Sequence, residues 1–135
     1  MDAIEQSNVN VVSREVKPNF TDLLGTWYNT NPQTENIAKV IINVENDEVM
    51  MQVFEAGNPN LSDWGKAKLQ VFTTGITASI VYGFTTKYDR ELMETVIAAN
   101  CKKGVLVLQA YNTHKNSPDK FNYFSREFFH QSPSN

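Results

Sequence analysis

The sequence predicts an all-β fold, an antiparallel up-and-down barrel of about eight strands. Three observations lead there. From residue 25 onward, segments rich in β-branched and aromatic residues alternate with short turn-forming clusters. No stretch has the length and 3.6-residue period of a helix between strands, which removes parallel βαβ units. The connections are short, so consecutive strands run antiparallel, and closing the set into a barrel removes its exposed edges. A two-sheet sandwich fits less well, because Greek-key crossings need longer connections.

Taken in order, residues 1–18 read as a loose arm in which Asn8-Val9-Asn10-Val11-Val12 can add a short edge strand, and residues 19–24 can form one turn of helix. Strands are expected at about 25–30, 36–44, 48–55, 64–74, 77–88, 91–101, 104–113 and 121–130. Each break carries turn chemistry: Asn31-Pro32, Glu45-Asn46-Asp47, Gly57-Asn58-Pro59-Asn60, Thr74-Gly75, Tyr88-Asp89, Lys102-Lys103-Gly104 and Asn116-Ser117-Pro118-Asp119. Residues 131–135 read as a frayed tail. The organisation expected is therefore an arm over 1–18, one barrel domain over 19–130 and a tail over 131–135.

Composition narrows the class. At 135 residues, 41% apolar and 20% charged, the chain suits one soluble domain with a real core. Its net charge of −3 and lack of a basic cluster argue against nucleic acid as a partner, since that needs many phosphate-neutralising side chains. No apolar run approaches the roughly 20 residues of a membrane helix, so no membrane partner is expected. The first 18 residues lack the basic start and apolar stretch of a secretory signal. Cys101 is the sole cysteine and has no disulfide partner in the chain, which favours a cytoplasmic setting.

The segment Gly25-Thr26-Trp27-Tyr28, preceded by Asn19-Phe20, resembles the opening of lipocalin-like (calycin) barrels. That resemblance implies a Trp27 that plugs the closed end and an Arg from the last strand, here Arg126, packed over the indole as a cation–π pair of about 0.5–2 kcal/mol. The layout departs from lipocalins, which carry a helix after the barrel, and from fatty-acid-binding proteins, which insert two lid helices after the first strand. It is more similar to avidins, compact and helix-poor, whose opening Gly-Thr-Trp-Tyr-Asn matches residues 25–29. By that likeness Asn29 offers its amide to a ligand, but two tryptophans are too few for a biotin box. Asp63-Trp64-Gly65, after the Asn58-Pro59-Asn60-Leu61-Ser62 loop, is similar to a motif of small bacterial calycin-like proteins. Asp63 and Trp64 either line the barrel mouth or meet a partner, or else Asp63 caps the turn, Trp64 covers a gap and Gly65 permits close strand packing.

Alternation assigns faces. In 64–74, Gly65, Ala67, Leu69 and Val71 share the inner face, and Lys66, Lys68 and Gln70 the outer. Elsewhere both faces are apolar: Val105, Val107 and Tyr111 alternate with Leu106, Leu108 and Ala110, and Phe121, Tyr123 and Phe129 alternate with Phe124 and Phe128. A surplus of apolar faces implies a second cover, so a homodimer or higher homo-oligomer is expected. Candidate ligand-binding residues in the cup are Tyr28, Asn29, Tyr82, Glu94, Tyr111 and Tyr123, with Asn112 beside them. Tyrosines combine flat apolar surface with a hydroxyl, and Glu94 sits in an apolar strand where burial would raise its pKa and make it a base. The ordinary alternative for Glu94 is a solvent-facing pair with a lysine.

Known chemistry leaves no mark. There is no nucleophile motif, and His114 and His130 lack metal-ligand spacing to Cys101. No glycine-rich phosphate loop precedes a helix. No cofactor and no metal are expected. The functional expectation is a barrel that binds a small hydrophobic or aromatic molecule. A cofactor-free cyclase or isomerase and a solid interaction module are the alternatives.

Overall fold

The computed structural model describes residues 17–132. The edge strand expected near residues 8–12 lies outside them. Nine strands form one antiparallel sheet: β1 Gly25–Asn29, β2 Ile37–Glu45, β3 Glu48–Glu55, β4 Ser62–Lys68, β5 Gln70–Thr73, β6 Val81–Asp89, β7 Met93–Lys102, β8 Val105–His114 and β9 Tyr123–Gln131. Their order is β4-β3-β2-β1-β9-β8-β7-β6-β5, so the first and last long strands pair and the sheet curls into a nearly closed barrel.

The single strand expected over 64–74 is two. Its first part pairs with β3 and its second with β6, and the switch falls at buried Leu69, whose N–H donates to the Val49 carbonyl at 2.9 Å. One bent segment thus spans the seam. Where its ladder with β6 lapses, side chains take over: the Thr86 hydroxyl donates to the Lys68 carbonyl at 2.8 Å, and the Tyr88 hydroxyl lies 3.0 Å from both the Met51 and Gly65 carbonyls.

Turn chemistry sets the registers. Asn46 and Asp47 (φ 54° and 66°) join β2 to β3, and Lys103 and Gly104 (φ 52° and 78°) join β7 to β8. Two consecutive left-handed residues make the turn whose twist matches that of paired strands. The like charges that the first hairpin sets opposite each other, Glu45 and Glu48, are met by Lys66 (2.6 Å) and Lys68 (3.0 Å) on β4.

The barrel has a closed end and a mouth. Residues 19–24 close the end where β1 begins: Leu23 is fully buried, and the Trp27 indole N–H donates to the Leu23 carbonyl at 2.9 Å. Trp27, Phe84, Phe129, Met51, Leu106 and Ile97 fill the interior between them. Trp27 therefore plugs the barrel as expected, but Arg126 does not cover it. Trp27 pairs in register with Gln131, whereas Arg126 lies five positions earlier on β9, on the outer face, with its guanidinium 5.1 Å from the Phe128 ring. Buried Phe129 points inward, so Arg126, an odd number of positions away, points out. At the closed end it is Gln131 that acts, donating its amide to the Leu24 carbonyl at 2.8 Å. Gln131, placed by sequence in the tail, belongs to β9.

Candidate functional site: the polar mouth of the barrel

The inner face changes character toward the mouth. Apolar side chains give way to Asn29, Thr34, Thr95 and Asn112, all buried, together with half-buried Glu127, Arg90 and Trp64. The connections at this end are residues 30–36, 56–61, 90–92 and 115–122.

Two networks organise it. In the first, Glu127 accepts from the Asn29 amide at 2.9 Å, and the Thr34 hydroxyl lies 2.9 and 3.1 Å from its two oxygens. Asn29 also donates to the Ile37 carbonyl and accepts from the Asn31 N–H. Both amide hydrogens and the carbonyl oxygen are thus engaged by protein, and Asn29 braces the first loop rather than presenting its amide to a ligand. In the second, the Arg90 Nη2 donates to the Thr95 hydroxyl at 2.7 Å, which in turn donates to the Asn112 side-chain oxygen at 2.7 Å.

Arg90 stacks on Trp64, its guanidinium carbon 3.8 Å from the ring centroid. The indole N–H donates to Glu55 at 3.1 Å, and the edge of Tyr88 meets the ring at 5.3 Å. A bulge aims Trp64. Across from β3 the pairing jumps from Gln52↔Lys66 to Phe54↔Asp63, so Trp64 and Gly65 together oppose one residue, with Gly65 at φ 86°. Asp63 caps this bulge, accepting from the Gly65 N–H at 2.7 Å, while its other oxygen takes the Gln52 amide at 2.8 Å. Asp63 thus serves the turn and Trp64 the mouth.

Burial, reinforced by the charge of Asp63, pushes the Tyr88 phenol up to about 12. Burial also raises the Cys101 thiol, at the closed end beside Asp22. Neither group is poised for chemistry near neutrality.

Asn36, Glu55, Trp64, Arg90, Asn112 and Tyr123 converge on a crevice that opens to solvent, with ≈ 10 Å³ of free volume, room for about one water molecule. The Arg90 Nε–H is buried there with no acceptor. Among the described residues Arg90 makes no ion pair, and no group of three or more His, Cys, Asp and Glu side chains could hold a metal.

The candidate ligand-binding residues do not gather in one cup. Tyr123 stands at the mouth, tilted against His114. Tyr28 and Tyr111 are exposed on the outer wall, against His130 and Phe124 respectively. Tyr82, shifted by the bulge where β5 pairs β6, lines an outer groove of ≈ 530 Å³ with Phe72 and Lys102. Glu94 points outward and pairs with Lys87 at 3.0 Å, because buried Thr95 and Ile97 fix the opposite parity for β7. Sequence reasoning missed Arg90 and Glu127. Arg90 sits in a turn, where a charged residue carries no signal. Glu127 hides between aromatics, and its inward parity follows only once Phe129 is known to be core.

Comparison with protein-family models, with curated proteins and with solved structures finds no match to this chain.

Proposed function

We propose that this calycin-type barrel binds a small molecule at its mouth rather than in a deep cup, and that the ligand joins an anionic oxygen group to a flat apolar body. One observation carries the reading: Arg90 is a half-buried cation with an unmet buried N–H and no carboxylate partner among the described residues. Such a group costs free energy unless an acceptor reaches it, and an anion supplies both charge and acceptor. The crevice takes one oxygen-sized group, and exposed Tyr123 at its rim offers flat surface for the rest of the ligand. The filled interior supports the mouth over the cup. An isomerase reading loses its base, since Glu94 faces the outer wall. A cytoplasmic setting is part of the proposal, and the free, buried Cys101 suits it. Among the described residues no helix is long and apolar enough to cross a membrane.

Benzoate tests this, with neutral benzamide as control. Trp64 and Trp27 supply two indole N–H resonances, one at each end of the barrel. Benzoate is expected to shift the Trp64 signal saturably and leave Trp27 unmoved, and benzamide to shift neither. Arg90→Met weakens benzoate at least tenfold, the scale of a charge-assisted hydrogen bond of about 1.5–3 kcal/mol. Equal responses to both probes, or an unchanged affinity in Arg90→Met, would overturn the proposal.

A further inference from the structure

The outer wall of β7, β8 and β9 carries more exposed apolar surface than a barrel needs. Cross-strand register arranges it in rows. Val96, Tyr111 and Phe124 form one row, and Ala98, Gln109 and Arg126 the next. Asn100, Val107 and Phe128 form the third. Tyr111 stacks on Phe124 at 5.8 Å, and the two rings are 45% and 62% exposed. No acidic side chain falls within these three rows.

We infer that this wall is the interface of a homodimer, with the two-fold axis running along β8. The pattern across the strands is what selects a second copy of the chain. Bulky side chains stand on β9 (Phe124, Arg126, Phe128), and smaller ones on β7 (Val96, Ala98, Asn100). A half turn about β8 lays each β9 on the other copy's β7, large against small, and sets β8 against itself. Beside Ala98 and Gln109 the wall is hollowed by ≈ 340 Å³. The half turn brings Arg126 of the partner subunit there, beside the Asn100 amide oxygen. The two Arg126 side chains fall on opposite sides of the axis, about 10 Å apart at the usual strand spacing, so they do not oppose each other. Gln109, on the axis, meets its own copy, and two primary amides are hydrogen-bond complements of themselves.

The size suffices. At the dimensions of such side chains the exposed apolar groups present roughly 400 Å², and the polar row with its rim brings each face to about 600 Å² per partner, the low end for a stable interface. A symmetric contact needs a self-complementary patch, and this one has a small half and a large half across one strand. The inference is independent of the ligand at the mouth.

Sedimentation and cross-linking test it together. The 15.3 kDa chain is expected to sediment at twice its mass at tens of micromolar. Gln109→Cys should form a disulfide-linked dimer when a mild oxidant accepts the two electrons, while Lys68→Cys on β4 stays uncrosslinked; native Cys101 is buried and does not compete. Phe124→Glu with Phe128→Glu should give a folded monomer, with dimer association weakened at least a hundredfold. A single 15.3 kDa species at every concentration overturns the inference. So does a dimer that Gln109→Cys fails to link and that survives the paired glutamates.

Discussion

At the scale of the residue, Tyr88 shows how one side chain can join a seam. Its hydroxyl reaches the Met51 and Gly65 carbonyls, tying β6 to β3 and β4 where the backbone ladder between β4 and β6 has lapsed, and its ring supports Trp64. Burial first, and the Asp63 charge second, push its pKa to about 12. A phenol whose folded pKa lies above its unfolded value of about 10 stabilises the fold while protonated. That contribution is complete below pH 10 and is lost as pH rises from 10 toward 12, to the extent of about 1–2 kcal/mol once solvent screening is allowed for. Melting temperatures recorded between pH 8 and 11.5 should therefore fall more steeply for the wild type than for Tyr88→Phe. Parallel declines would show that the phenol does not feel the seam.

Among the elements, β4 is the one whose conformation matters most to the mouth. Its Gly65 bulge turns Trp64 inward toward Arg90, and the left-handed backbone is what asks for glycine, since a Cβ at Gly65 would meet nothing within 4 Å. Gly65→Ala should destabilise by about 1–2 kcal/mol through backbone strain alone. Gly75→Ala, in equally open space but without a left-handed backbone, serves as the control and should be near neutral in urea denaturation. Equal costs at the two positions would place the penalty elsewhere. The Asp63-Trp64-Gly65 motif was conspicuous in sequence, and both of its expected roles are present on different residues: Asp63 caps and Trp64 lines the mouth.

The whole molecule is a ring of unequal strength. β7 and β8 pair over ten residue positions and β8 and β9 over eight, whereas β5 and β6 pair over four and β1 and β9 over three. Local opening starts at strands that are paired on one side only, and here those are the two ends of the sheet order. Amide exchange should be slowest in the inner strands β7 and β8, and fastest along β4 and β5, where the sheet order ends. Uniform protection around the ring would mean that the seam is closed by more than the Thr86 and Tyr88 side chains. The same asymmetry puts the strongest strands beneath the apolar outer wall, so the surface inferred to dimerise is also the most rigid one.

The meander, its turn positions and the inner face of residues 65–71 could be read from the chain alone, because each depends on neighbours close in sequence. Asn46-Asp47 and Lys103-Gly104 mark tight turns by their own backbone preferences, and Lys66 and Lys68 declare the outer face of β4 by charge. The site could not be read so. Bulges at Ile37/Lys39, Gln52/Phe54 and Phe72/Thr73 each shift register by one residue, and one residue is enough to move a side chain to the other face of the sheet. In two-faced apolar strands charge does not settle which face is inner: β8 carries none before His114, and β9 sets Arg126 and Glu127 on opposite faces, so Tyr111 reads as well for the cup as for the wall, while Trp27, Phe84 and Phe129 fill the interior. Arg90 met Trp64 only because the barrel closed and brought β4 beside the turn after β6, a through-space contact that no local pattern encodes.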